Sequence, residues 1–226
     1  MGESIEFPSN GGTAQGYLAT PDAGSGPGVL VLQEWWGLVP HIEDVCDRLA
    51  SEGFTALAPD LYHGEVTQEP DEAGKLMMAL GMEQAAKDMS GAVDVLVARG
   101  TGDGIGAMGF CMGGGLALLI ATQRGDAVKV AIPFYGLIPW GGPAPDWSRL
   151  GGPVQGHYAE LDEWAGPAAV GALTQEITAA GGTVEMFVYP AAQHAFFNDT
   201  RPEVYDAAAA ATAWERTIGA LRTALG

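Results

Sequence analysis

"GFCMGGG", residues 109–115, sets a cysteine between glycines, directly after the apolar run "IGAM" and directly before the apolar stretch "LALLIATQ". Gly109 and Gly113 stand two positions either side of Cys111. This is the spacing of a nucleophile elbow, G-x-S-x-G, with cysteine in the serine position. Such a turn carries a strand into a helix, strains its central residue, and needs small neighbours that clear the packed strand and helix. Cys111 then projects above the sheet at a helix N-terminus, where unpaired N–H groups and the helix dipole favour a negative sulfur. The N–H of Met112, one residue on, is in the position of an oxyanion donor. The plainer alternative is a cysteine packed in a glycine-rich crossover. A further competitor, "GIGAMG" (104–109), satisfies G-x-G-x-x-G and is followed by Asp126 near the distance of a ribose-binding acid. There, however, Ile105, Ala107, Met108 and Phe110 read as the strand itself, not as the turn after it.

Outward from the elbow, short β-rich runs alternate with helical patterns. Strands are predicted near 4–7, 14–19, 28–33, 54–59, 105–110, 128–135, 152–158 and 183–190. That order predicts an α/β fold: a single domain over residues 1–226 with a mostly parallel eight-stranded sheet and helices on both faces. In "HIEDVCDRLASEG", Ile42, Val45, Cys46 and Leu49 mark one helix face and Gly53 ends the helix, which makes Cys46 a core residue. Residues 70–98 read as two helices broken near Gly81, residues 203–225 as a C-terminal helix of good helix formers, and 137–153 as a loop between two strands.

At 226 residues the chain can bury one sizeable core. Its 28 acidic against 10 basic residues give a formal charge of −18, which repels a phosphate backbone and excludes nucleic acid as a partner. "MGESIEFPSN" has neither the basic start nor the apolar stretch of a signal peptide, and no apolar segment is long enough to cross a bilayer, so a cytoplasmic protein without membrane contact is expected. The two cysteines are too few for a disulfide framework and have no metal-ligand spacing; both are expected to be free thiols.

A thiol that performs acyl transfer needs a histidine within hydrogen-bond reach and a carboxylate to orient it, in the chain order nucleophile, acid, histidine for this kind of elbow. Two histidines follow Cys111. His157 ends a predicted strand and reads as structural. His194, in "YPAAQHAFF", lies on the loop between the last strand and the last helix, at the carboxyl ends of the strands where open α/β sheets place their chemistry. Asp162, in "GHYAELDEW", occupies the loop after the next-to-last strand, but Glu160 and Glu163 flank it and position alone does not choose among the three.

"GFCMGGG", "LQEWWGL", "APDLYHG", "GHYAELDEW" and "HAFFNDTRPEVYDAAAAATAW" occur in an order that resembles the dienelactone hydrolase family, over nearly the whole chain. The resemblance implies an eight-stranded α/β-hydrolase fold and a Cys-His-Asp triad, falling on Cys111, His194 and Asp162. It also implies that Glu34 meets the resting thiol and helps generate the thiolate, and that the Trp35 N–H is a second oxyanion donor. Beside Trp35 and Trp36 a carboxylate is partly desolvated, which suits it to take up a proton from a thiol.

The branch of the family named for dienelactones holds the substrate carboxylate with two arginines. Neither has a counterpart here: "TQEPDEAGKLMMALG" contains none, and Asn198 stands four residues beyond His194. Lys75 and Arg201 read as solvent-facing or structural. Without a bidentate clamp, and with a strongly negative chain, a neutral ester or lactone is the expected small-molecule substrate. The expectation is thus a cofactor-independent, metal-free monomeric hydrolase with Trp35, Trp36, Tyr62, Trp140 and Phe196 as candidate pocket residues. The alternatives are a thiol-based redox sensor, which would use an activated Cys111 without turnover, and a non-catalytic binding protein on the same fold.

Overall fold

The structure, a computed structural model, describes residues 2–138 and 145–226; Trp140 lies outside them. Strands β1 (Glu3–Ser9) and β2 (Gly12–Ala19) form an antiparallel hairpin registered from Glu3↔Leu18 to Ser9↔Gly12. Its two-residue turn is Asn10-Gly11, both at positive φ, as a type I′ hairpin requires. β2 pairs antiparallel with β4 (Thr55–Pro59), and β4 pairs parallel with β3 (Pro27–Leu32). The later strands are β5 (Thr101–Phe110), β6 (Val128–Phe134), β7 (Val154–Ala159) and β8 (Val184–Tyr189), with β6, β7 and β8 parallel neighbours. The eight-stranded sheet runs β1-β2-β4-β3-β5-β6-β7-β8, mostly parallel, with helices on both faces. The predicted fold class holds.

The chain falls into two compact units, residues 1–105 and 106–226. In the first, β3 from Gly28 on and all of β4 are buried, which is why they read as continuous apolar runs without alternation. Helix α1 (Pro40–Ser51) lays Ile42, Val45, Cys46 and Leu49 into that core, each side chain of this size contributing about 1.5–3 kcal/mol on full burial. It ends where predicted: Gly53 sits at φ 95° and donates to Ala50 O, while the Phe54 N–H donates to Leu49 O, a Schellman closure. Helices α2 (Pro70–Ala79) and α3 (Met82–Arg99) are separated at Leu80-Gly81, again as predicted.

In the second unit, α4 (Met112–Gln123) is buried almost all round, which its apolar sequence demands. It packs on β6 through Gly114 and Gly115, where an added Cβ would meet the backbone at Phe134, Gly136 and Leu137. Helix α5 (Pro167–Ala179) covers β8, and α6 (Ala207–Leu225) covers β6 and β7. Strand ends elsewhere shift by a residue or two, and two boundaries differ by more. β5 begins at Thr101, earlier than its apolar run, because its first three residues are exposed and polar or glycine and carry no burial signal. α6 begins only at Ala207, because the Asp206 side chain accepts from the N–H groups of Ala208 and Ala209 and so caps it there. Among the described residues, no helix is long and apolar enough to cross a membrane.

Candidate active site

β5 ends at Phe110 and α4 begins at Met112, so Cys111 alone makes the turn. Its backbone stands at φ 53° and ψ −117°, a conformation that costs a non-glycine residue on the order of 1–3 kcal/mol. Surrounding bonds impose it. The Cys111 N–H donates to Phe134 O at 3.0 Å, the Gly114 N–H donates to Cys111 O at 3.0 Å, and Gly136 passes so close that a Cβ there would lie 2.2 Å from Cys111 O. Cys111 is half-buried and Met112 is buried. "GIGAMG" is part of β5 and forms no turn, so the dinucleotide reading is set aside.

His194 lies on the loop between β8 and α6, next to Ala195 at φ 64°. Its Nδ1 lies 2.7 Å from Asp162 Oδ2, and with the proton on Nδ1 the ring donates to that carboxylate. Asp162 follows β7, and its side chain has no exposed surface. Its other oxygen accepts from the N–H groups of Trp164 at 2.8 Å and Ala165 at 2.9 Å. Burial alone would raise the Asp162 pKa, but the His194 hydrogen bond and charge, with the two backbone N–H groups, hold the carboxyl below its ordinary value. For His194, burial favours the neutral ring, yet the hydrogen bonds and charges of Asp162 and Cys111 outweigh it and push the pKa up to about 10. Nε2 is buried without a hydrogen bond of ordinary geometry, leaving it available to a reacting atom. Of the three neighbouring acids, Asp162 is the one bonded to His194; Glu160 is exposed and accepts from the Ala191 N–H.

Two aromatic residues that sequence reasoning passed over touch the imidazole. Tyr135, buried and at φ 37°, meets it edge-on with centroids 5.1 Å apart, and Trp164 lies against it at 5.6 Å. Trp164 was visible in "ELDEW" as an aromatic residue among acids beside the candidate carboxylate. Phe196 is fully buried between the Tyr135 and Tyr189 rings. His157 is structural: Nδ1 contacts Tyr189 OH at 2.9 Å, Nε2 contacts Thr217 Oγ1 at 3.2 Å, and burial with the Arg216 charge pulls its pKa down to about 3.

In the first unit Glu34 is buried, and the half-buried Trp35 and Trp36 meet edge-on at 5.1 Å. Tyr62 lines a cavity of about 290 Å³ with Leu76, Leu80 and Gln84. Lys75 is exposed and paired with Glu72, and Arg201 is paired with Glu203. Among the described residues, no three His, Cys, Asp or Glu side chains gather in a way that could hold a metal ion. Cys111 on its turn and His194 bonded to the buried Asp162 thus belong to the same unit, which holds a thiol, an imidazole and a carboxylate, the residue types that acyl transfer by a thiol requires.

The sequence model of the dienelactone hydrolase family matches residues 14–225. The chain is 37% identical over 231 residues to "Protein usf" of Aquifex pyrophilus, with 96% of each chain covered. It is 36% identical to the "Putative carboxymethylenebutenolidase" of Aquifex aeolicus over the full length of both. A solved structure, the "Putative Dienelactone Hydrolase" of Klebsiella pneumoniae, superposes with a TM-score of 0.87 at 29% identity over 97% of each chain.

Proposed function

Because the chain belongs to the dienelactone hydrolase family, a family of hydrolases, we propose that it cleaves small neutral carboxylic esters or lactones with Cys111 as nucleophile. The observation that carries this reading is a cysteine held at positive φ on a strand-to-helix turn, in one unit with a histidine whose Nδ1 is bonded at 2.7 Å to a buried aspartate. The thiolate of Cys111 adds to the acyl carbon and the Met112 N–H stabilises the oxyanion. His194 then gives its Nε2 proton to the departing oxygen, leaving a thioester on the sulfur. Neutral His194 next takes a proton from water, whose oxygen attacks the thioester and releases the acid. Asp162 keeps the ring in the tautomer that both steps need.

The elevated His194 pKa suits this sequence. With the ring protonated near neutral pH, Nε2 carries the proton that the departing oxygen needs. Acylation removes the Cys111 interaction that helps to raise the His194 pKa, which moves the ring towards the neutral base that deacylation needs. The Trp35 N–H as second oxyanion donor and Glu34 as the group that primes the thiol are carried over from the family resemblance alone. The missing arginine clamp and the charge of −18 both favour neutral substrates.

The test is hydrolysis of short neutral acyl esters and simple lactones by the wild type beside Cys111→Ala between about pH 6 and 9, where histidine and thiol groups titrate. Turnover confined to the wild type is expected. Equal rates for the two proteins overturn the proposal.

A further inference from the structure

Two large apolar side chains stand in solvent beside the buried Asp162: Leu161 is 57% exposed and Trp164 63%. They are not on a loose loop. The Trp164 N–H is bound to Asp162 Oδ1 at 2.8 Å, the next residue, Ala165, is bound to the same oxygen and buried, and the Leu161 N–H donates to Ala192 O at 2.9 Å. The indole also rests against the His194 ring. From these observations we propose that Trp164, with Leu161 beside it, forms the wall against which the leaving alcohol of the substrate lies, so that esters with an aromatic or bulky apolar alcohol part are preferred. This rests on the hydrolase reading above and adds the part of the substrate that is selected.

Chemistry ties the wall to the alcohol side. When the tetrahedral intermediate collapses, the C–O bond breaks with its electron pair going to oxygen, and the Nε2 proton of His194 passes to that oxygen. The departing oxygen must therefore sit within about 3 Å of Nε2. A substituent on it extends next to whatever flanks the imidazole. Tyr135 is buried on that ring, whereas Trp164 presents open indole surface, and a phenyl group meets an indole favourably at centroid separations of about 4.5–7 Å. The exposed carboxylates Glu160 and Glu163 on the same loop disfavour an anionic alcohol part. The backbone of Trp164 is pinned and its ring rests against His194, so less ordering is needed on binding than for a side chain on a loose loop.

The test compares benzyl acetate with ethyl acetate, whose leaving alkoxides are similarly basic, for the wild type, Trp164→Ala and Trp164→Phe. The benzyl-to-ethyl ratio of kcat/KM is expected to fall about tenfold in Trp164→Ala, a loss of about 1.4 kcal/mol, and to be largely kept in Trp164→Phe. An unchanged ratio, or an equal loss on both esters, overturns the proposal; the latter would make Trp164 a support for His194 only. A second measurement needs no turnover: the rate at which Cys111 is alkylated by N-benzyliodoacetamide against iodoacetamide, the thiolate displacing iodide in both. The benzyl reagent is expected to be favoured several-fold in the wild type, and that preference to be lost in Trp164→Ala. If neither ester is hydrolysed while this preference holds, the hydrolase reading fails and the contact of Trp164 with apolar groups at Cys111 stands. If the preference is missing, the proposal falls whatever the esters do.

Discussion

Asp162→Asn separates the charge of the acid from its shape. The asparagine Oδ1 can still accept from the Trp164 and Ala165 N–H groups, so the loop is expected to keep its conformation. At the Oδ2 position, 2.7 Å from His194 Nδ1, an amide NH₂ now faces the ring. It can only donate, so the ring must turn Nδ1 into an acceptor and carry its proton on Nε2, the wrong tautomer for taking a proton from thiol or water. The lost charge adds to this. The Asp162 hydrogen bond and charge are among the interactions that overcome burial and push the His194 pKa up to about 10, so removing the charge makes the ring harder to protonate as well. The combined fall in kcat/KM for a neutral ester is expected to be on the order of 1,000- to 10,000-fold. The same pair leaves a mark on stability. A raised histidine pKa stabilises the fold below 6.5, and that contribution is lost as pH rises through about 10. Thermal unfolding scans from pH 6 to 10 should therefore slope downward in the wild type and less steeply in the variant. A variant within threefold of wild-type kcat/KM at pH 7, with an unchanged slope, refutes the role given to Asp162.

Gly136→Ala should destabilise by about 3 kcal/mol or more, because the added Cβ meets Cys111 O at 2.2 Å and Gly114 Cα at 2.6 Å, backbone atoms that cannot step aside; an unchanged Tm would count against the account of the elbow. His157 shows the opposite linkage to His194. With its folded pKa near 3 against 6.5 unfolded, the unfolded chain binds the proton first, so stability falls as pH drops from 6.5 towards 3. His157→Gln should flatten that acid limb by up to about 1.4 kcal/mol per pH unit in urea titrations. Burial pushes the Cys46 thiol pKa up, so iodoacetamide should label Cys111 in the native protein and Cys46 only after denaturation, read by mass spectrometry.

The fold was legible where local chemistry repeats a rule. Paired glycines around Cys111, the three-and-four spacing of Ile42, Val45, Cys46 and Leu49, and Gly53 after them each mark a boundary that the structure keeps. Less legible was what tertiary packing decides. The exposed first residues of β5 pair in the sheet without any apolar signal, and the start of α6 depends on which of several polar residues caps it. The candidate site divides in the same way. Chain order pointed to Cys111 and His194, whereas the choice of Asp162 over Glu160 and Glu163 depends on which carboxylate turns inward, and three adjacent acids look alike in sequence. Phe196 and Trp164 are alike as letters near the site, yet one is enclosed by Tyr135 and Tyr189 and the other open to solvent.

The order in which these parts occur along the chain has a consequence for biosynthesis. The turn bearing Cys111 belongs to the middle of the polypeptide, Asp162 follows well after it, and His194 comes on the loop before the last helix. On the ribosome Cys111 therefore emerges well before His194, and under the proposed mechanism the parts of the site come together only once the final quarter of the chain has been made and has docked. A nascent or truncated chain would lack the bonded pair of His194 and Asp162, so on that reading completion of folding and completion of the site are one event.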